Sequence, residues 1–206
     1  MGFSDILMKP DEVLAIEKPK ANTVEAVKTY AIYGAIIGLV YGLIFGVLFG
    51  VIGTVAGAAS AQAGGLLAGL GLAIIVVMPI LGIVGSVVGS AIGWGILMLL
   101  AKVLGGKGTF AENFYLGSRL IWPSLVLTLA AMVLMFIPFI GWLIGLVLLL
   151  YLAYLTICVL ATANQFSKAH AVGTLLLAFV LYIIVAMVIA VILGAILFAA
   201  TGARGY

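Results

Sequence analysis

The chain has 206 residues, 67% of them hydrophobic and 7% charged, with a net charge of +3 and a mean hydropathy of +1.45. A soluble domain carries roughly 25% charged residues, so composition excludes a water-soluble globular protein and makes lipid the solvent. The cations fall near predicted helix ends, which favours the anionic headgroups of a bilayer, and not nucleic acid, as their partner.

Residues 1–27 are the one stretch of soluble character. Phe3, Ile6 and Leu7 share a helical face, and Val13, Leu14 and Ile16 carry an apolar surface past Pro10. Pro10 with Asp11 and Glu12 suits a first helical turn, and Pro19 ends that helix. The segment reads as two short amphipathic helices lying in the headgroup region, a cytoplasmic segment ahead of a transmembrane domain over residues 28–206.

Asn22 to Glu25 (NTVE) offers a capping box, Tyr30 and Tyr33 sit where interfacial aromatics belong, and a first span follows from Lys28 to Gly57. Within it Gly34, Gly38, Gly42, Gly46 and Gly50 recur at every fourth position. Lipid gives helices no hydrophobic reason to associate, so small residues at this spacing let backbones approach. A second row, Gly82, Gly85, Gly89 and Gly93 with Ser86 and Ser90 alongside, is the expected partner. The same faces would serve homo- or hetero-oligomers. Ala58–Ala63 (AASAQA) has the small-residue look of a cleavage site, but the preceding apolar run is too long for a signal peptide, and the N-terminus is expected to be kept.

Leu66–Ala101, interrupted by Pro79, admits two readings. It is one span from Pro79 to Val103 behind a short re-entrant or interfacial segment, or it is two spans. A polar loop (GGKGTFAEN) follows Lys102. Then come a third span from Leu116 to Ile137, bent near Pro123; a tight turn at IPFIG; a fourth span from Trp142 to Ala163; the loop NQFSKAH; and a fifth span from Val172 to Ala200. With five spans and the N-terminus inside, Lys9, Lys18, Lys20, Lys28, Lys102, Lys107, Arg119 and Lys168 face the cytoplasm, and only Arg204 faces out. Six spans would split the cations almost evenly, so the positive-inside rule selects five. The predicted fold is an all-α polytopic membrane helix bundle of about five transmembrane helices with a cytoplasmic N-terminus.

Chemistry-bearing residues are sparse. His170 is the only histidine, and with Cys158 and Glu112 it is too dispersed to hold a metal. No Ser–His pair or paired aspartates lie within the spans. Gly105–Thr109 (GGKGT) departs from a phosphate-binding loop, with Ala101 where the first glycine belongs and a membrane helix where a strand belongs. Neither an enzyme nor a cofactor is expected. Coupled transport needs an ionisable group near the membrane midplane, and none of the spans places one there. Ser90, Thr128, Thr156 and similar residues read as hydrogen bonding within the bundle ahead of lining a neutral path.

Two stretches resemble the Yip family, polytopic proteins named for interaction with Ypt/Rab GTPases. DILMKPDEVLAIEKP is similar to the family's membrane-proximal opening. LAKVLGGKGTFAENFYLGSRLIWPSLV, followed by IPFIGWLIGLVLLLYLAYLTICVLATANQFSKAHAVGTLLL, is similar to its core. The shared motif positions here are Lys102, Gly105, Gly106, Pro123, Pro138, Gly141, Ser167, Lys168 and Ala169, with Lys107 in the same loop. The resemblance implies five membrane helices and a cytosolic N-terminus. It also implies a role in organising or shaping membranes or in trafficking-like scaffolding. The chain reads as a short, prokaryotic-type member without a long cytosolic N-terminal region, which leaves GTPase binding open. The setting is the cell membrane for a prokaryotic protein and the endoplasmic reticulum or Golgi for a eukaryotic one. The alternative function is a small channel or transporter for a neutral or lipid-like substrate.

Overall fold

Asn22 starts the first long helix. Its side chain accepts hydrogen bonds from the backbone N–H groups of Val24 (2.9 Å) and Glu25 (3.4 Å), satisfying donors that a helix start leaves open. The Glu25 carboxylate does not turn back to complete the predicted box; it reaches Arg119 instead. A computed structural model of the chain describes residues 3–134, 137 and 140–202; Pro138 and Arg204 lie outside the described residues. In chain order the helices are α1 (Phe3–Met8), α2 (Pro10–Glu17), a 3₁₀ turn (Lys18–Lys20), α3 (Thr23–Ala59), α4 (Ala61–Val103), α5 (Phe110–Arg119), α6 (Ile121–Leu134), α7 (Ile140–Asn164) and α8 (Lys168–Gly202). Four are long and apolar enough to cross a membrane: Thr23–Ala59, Ala61–Val103, Gly141–Asn164 and Lys168–Ile196. The protein is a membrane-embedded, multi-pass helical bundle.

α3 and α4 form one antiparallel hairpin that turns at Ser60, whose hydroxyl accepts the Ala63 N–H at the start of α4. This corrects both readings of the Leu66–Ala101 region. Residues 64–78 are neither re-entrant nor a separate span, because α4 runs unbroken through Pro79 for 43 residues. Proline ordinarily costs a helix the bond to the carbonyl four residues back. Here that carbonyl, on Ile75, lies against Gly42 of α3, so the neighbouring backbone occupies the space a side chain would take. At 1.5 Å per residue α3 is about 55 Å long and α4 about 64 Å, well beyond a hydrocarbon layer of about 30 Å.

The third predicted span also divides. α5 ends at Arg119, whose guanidinium is held by Glu17 and Glu25, and a new helix begins at Ile121. Pro123 lies in the first turn of α6, where its missing N–H costs nothing, and does not bend a continuous helix. α6 has 14 residues, about 21 Å.

The core gathers at one end of the bundle. Leu14 of α2, Ala26 and Tyr30 of α3, Phe114, Tyr115 and Leu116 of α5, and Leu155, Cys158 and Val159 of α7 pack together there. Tyr30 stacks on Phe114 at 4.8 Å between ring centroids, and Phe110 on Phe114 at 5.2 Å. Away from that end α3 and α4 stay together as a pair, while every residue of α8 from Leu181 to Ile196 is exposed.

The N-terminal helices turn part of their apolar surface into the bundle. Leu14 is 0% exposed and packs inside the core, Val13 is buried, and Ile16 points outward at 52% exposure. Tyr151 of α7 donates to the Leu7 carbonyl (2.7 Å). Residues 5–20 therefore dock on the bundle, because the core end offers apolar contacts together with partners for their charges.

Candidate functional site

The seam between α3 and α4 is made of backbone. A methyl group placed on Gly34 would collide with the Gly82 carbonyl and Ser86 Oγ, and one on Gly82 with the Gly34 carbonyl. A Cβ on Gly46 would lie 2.8 Å from the Gly71 carbonyl oxygen, and one on Gly71 would lie 2.6 Å from that of Gly46. Gly53 and Gly64 oppose each other in the same way, at 3.0 and 2.8 Å. Gly38 faces Met78 and Pro79, and Gly42 faces Ile75 at 3.3 Å. Ser86 Oγ adds a hydrogen bond to the Tyr30 carbonyl (2.7 Å). Such approach permits Cα–H to carbonyl contacts along the pair.

Five of the predicted packing glycines face this seam and four do not. A Cβ on Gly50, Gly85, Gly89 or Gly93 would meet nothing within 4 Å. The expected partner row is corrected accordingly: of its glycines Gly82 alone is pressed against α3, with Ser86 beside it. Beyond Gly82 the helices diverge, and α4 turns Val87, Ala91 and Trp94 toward the core. The remaining partners, Gly64, Gly71, Ile75 and Met78, come from the stretch read as re-entrant or interfacial.

At the core end, polar side chains from four segments interlock. Arg119 of α5 bridges Glu17 (3.0 Å) and Glu25 (2.9 Å) and contacts the Tyr115 hydroxyl. Tyr115 in turn donates to Glu17 (3.0 Å). Lys18 donates to the carbonyls of Thr162 (3.0 Å) and Ala163 (2.8 Å) at the end of α7, where a cation meets the negative end of the helix dipole, and it pairs with Glu112 at 3.5 Å. Lys168 pairs with Asp11 at 2.6 Å. Burial alone would raise the Glu17 carboxyl, but hydrogen bonds from Lys20 and Tyr115 and the charge of Arg119 outweigh it and hold it below the usual carboxylate range. Burial opposes ionisation of Glu112 too, and the Thr109 backbone and hydroxyl together with Lys18 overcome it.

Most of the described motif residues of the Yip resemblance lie around this network, and Gly141 lies at the other end of α7. Lys102 lies in the last turn of α4, and Gly105, at φ +87°, occupies the left-handed position after the cap residue Leu104. Gly105 N–H donates to Lys102 O (3.0 Å) and Gly106 N–H to Ala101 O (2.8 Å), the paired bonds of a Schellman cap. The loop then crosses the end of α7: Lys107 N–H donates to Asn164 O (3.0 Å), and a Cβ on Gly106 would lie 3.0 Å from Asn164 Cβ. Thr109 and Glu112 form a reciprocal capping box for α5. Gly141 is buried early in α7, and its N–H donates to Ile137 O. Ser167 Oγ accepts from the His170 N–H (3.4 Å) and contacts His170 Nδ1 (2.8 Å), so His170 belongs to the first turn of α8. Lys28, Lys102 and Lys107 are exposed.

Several of these partners went unread in the sequence. Thr109–Phe–Ala–Glu112 carries the T-x-x-E signature of a helix start, which would have separated α5 from the span behind it. The buried pair Asn113–Asn164, joined at 2.9 Å, has no local signal, since 51 residues separate its members.

Two cavities adjoin these elements. One of about 600 Å³ lies between α4, α7 and α8, with apolar walls that include Ile96, Leu149, Phe179 and Tyr182. The other, of about 240 Å³, lies between α3, α4, α5–α6 and α7 and carries hydroxyls on its wall. Among the described residues no group of three or more His, Cys, Asp or Glu converges. Comparison with family models, curated proteins and solved structures finds no match to this chain.

Proposed function

We propose that this chain is a non-enzymatic membrane protein of the Yip type that organises or shapes the bilayer, or scaffolds partner proteins within it. The observation that carries the reading is the uneven packing of the bundle. Residues 5–20, α5 and the core-end turns of α3, α4 and α7 are knitted together, whereas the distal half of α8 and the hairpin tip stand apart. Such a body occupies unequal cross-sections in the two leaflets, and unequal cross-section bends a bilayer. From Lys28 to the hairpin tip at Ser60 is about 48 Å of helix, so the tip reaches past the opposite face of the hydrocarbon layer unless the pair tilts steeply.

In this proposal the core end is cytoplasmic. It carries Lys9, Lys18, Lys20, Lys28, Lys102, Lys107, Arg119 and Lys168, and α3, α4, α6, α7 and α8 make five crossings. Lys28, Lys102 and Lys107 are left to meet anionic headgroups. A single cysteine placed at Lys107 should resist an impermeant thiol reagent in intact cells and react after lysis; labelling from outside overturns the threading. Full-length protein reconstituted at rising density should shrink or tubulate liposomes seen by electron cryomicroscopy. Vesicles of unchanged shape at high density would count against the shaping role. The apolar cavity between α4, α7 and α8 favours the transport alternative for a lipid-like substrate, which saturable flux in proteoliposomes would establish.

A further inference from the structure

Exposed charges mark how far the hydrocarbon layer can reach along each helix. Residues 7–18 run beside the last turns of α7. The Leu7 carbonyl meets Tyr151, Asp11 pairs with Lys168 over the Tyr154 ring, and Lys18 reaches Thr162 and Ala163. Lys9 and Glu12 of that segment are 66% and 69% exposed. Charges so placed cannot stand in hydrocarbon, so α7 lies among headgroups or water from Tyr154 onward. On α6 the limit is Arg119, bound to Glu17 and Glu25 just before the helix begins. The apolar lengths that remain are short. Ile140 to Tyr154 is about 21 Å of helix, and Ile121 to Leu134 is also about 21 Å, against a hydrocarbon layer of about 30 Å. α3 starts from the same level, because its Tyr30 and Tyr33 line one cavity with Ile121, Ser124, Leu152 and Thr156. Yet α3 runs about 39 Å from Tyr33 to Ala59. Measured from one plane, the bundle carries a long hairpin, α3–α4, and a short one, α6–α7.

We propose that α6 and α7 hold the bilayer locally thin, and that their lipid-facing flank gathers phospholipids with short acyl chains. The end of α6 leaves its last carbonyls, and the start of α7 its first N–H groups, without partners inside a helix. Hydrocarbon offers them none. Drawing the far headgroups inward by roughly 9 Å supplies partners, and a bilayer yields to mismatch at a modest cost per ångström. Trp142, 73% exposed in the first turn of α7, then lies at the far interface, where indole rings settle. The rest of the flank, with Val126, Leu146, Leu149 and Leu150 exposed, is apolar. It has nothing with which to choose a headgroup, so it selects lipids by chain length. The inference rests on the threading in which α6 and α7 are crossings, and on nothing about curvature.

The test uses the full chain in flat phosphatidylcholine nanodiscs, where an impermeant maleimide reaches both faces. Ile137→Cys, in the α6–α7 connection, should label at similar rates in dimyristoleoyl and dioleoyl bilayers. Ser60→Cys, at the tip of the long hairpin, should label in both as well. The native Cys158, at 0% exposure, supplies the unlabelled background. In an equal mixture of dimyristoleoyl and dierucoyl lipids, bromine carried on the shorter chains should quench Trp142 about twofold more than bromine on the longer ones. Trp142→Phe gives the signal of the other indoles for subtraction. If Ile137→Cys stops labelling in dioleoyl discs while Ser60→Cys continues, the turn lies inside hydrocarbon and the proposal falls. Equal quenching by the two lipids overturns it too, since the flank would then sort nothing. Nanodiscs do not bend and labelling at Lys107 reads the threading separately, so failure here is distinct from failure of the shaping role.

Discussion

Replacing Gly38 and Gly50 with alanine, one at a time, separates close packing from mere glycine content. Both lie in α3, four-residue multiples apart in the same row, and both gain about 1 kcal/mol of helix propensity on becoming alanine. Their surroundings differ. A Cβ on Gly38 would lie 2.7 Å from Pro79 Cα, while one on Gly50 meets nothing within 4 Å. Ordinary contact begins near 3.4 Å, so the helices must part locally by about 0.7 Å or more, and the obstacle is backbone that cannot rotate away. Overpacking of this kind costs about 1–3 kcal/mol, and parting also loosens the Gly34–Gly82 and Gly46–Gly71 pairs on either side. Gly38→Ala should therefore lose about 1 kcal/mol net and Gly50→Ala gain up to about 1. The difference of about 2 kcal/mol is roughly thirtyfold in an unfolding constant. Thermal unfolding in one detergent, with spin-label distances across the hairpin, reads both the energy and the parting. Equal stabilities for the two variants would refute the argument that the seam is held by backbone approach.

Arg119→Met should leave the buried Glu17 with Lys20 but without its second cation, costing about 1–3 kcal/mol, and release residues 5–20 to faster hydrogen exchange; unchanged exchange there would mean the Arg119 ion pairs do not hold the segment. The lowered carboxyls of Glu17 and Glu112 bind protons more weakly in the folded state than in the unfolded one. Their contribution is present above the ordinary carboxylate range and disappears as the pH falls through their folded values. Proteolysis of residues 5–20 should accordingly rise below about pH 4.5 and stay flat between pH 6 and 8. Gly105→Ala must hold a side chain at φ +87° and should cost about 1–2 kcal/mol, with Gly105→Asn milder; equal melting temperatures would place the cost elsewhere. Gly42→Ile meets Ile75 backbone already at 3.3 Å, and should break the hairpin at its centre, read as loss of the spin-label contact.

Much of the seam could have been read from residue numbers. Gly34 with Gly82, Gly46 with Gly71 and Gly53 with Gly64 each add to 116 or 117, the constant sum of an antiparallel pair folded at Ser60. Pro79 hid the pattern, since proline ordinarily argues against a continuous helix. The row was visible at Gly34–Gly50, but phase alone assigned the wrong partners at Gly85, Gly89 and Gly93. Helix periodicity says which residues share a face, and it does not say how far along that face two helices stay together. The carboxylate partners of Arg119, Glu17 on α2 and Glu25 on α3, were not foreseeable.

The sequence by itself determined the solvent and the helical class, because unbroken apolar runs must close their hydrogen bonds internally in lipid. It also determined the local signals that start and stop helices at Asn22, Thr109 and Gly105, since caps act over three or four residues. Only tertiary structure decided that residues 5–20 dock on the bundle, that α4 passes through Pro79, and that Tyr30 stacks on Phe114 in the core. Those outcomes rest on contacts between residues far apart in the chain, such as Leu7 with Tyr151 and Lys18 with Ala163, 144 and 145 positions apart. Their energy depends on which surfaces meet, and a linear pattern does not carry that information.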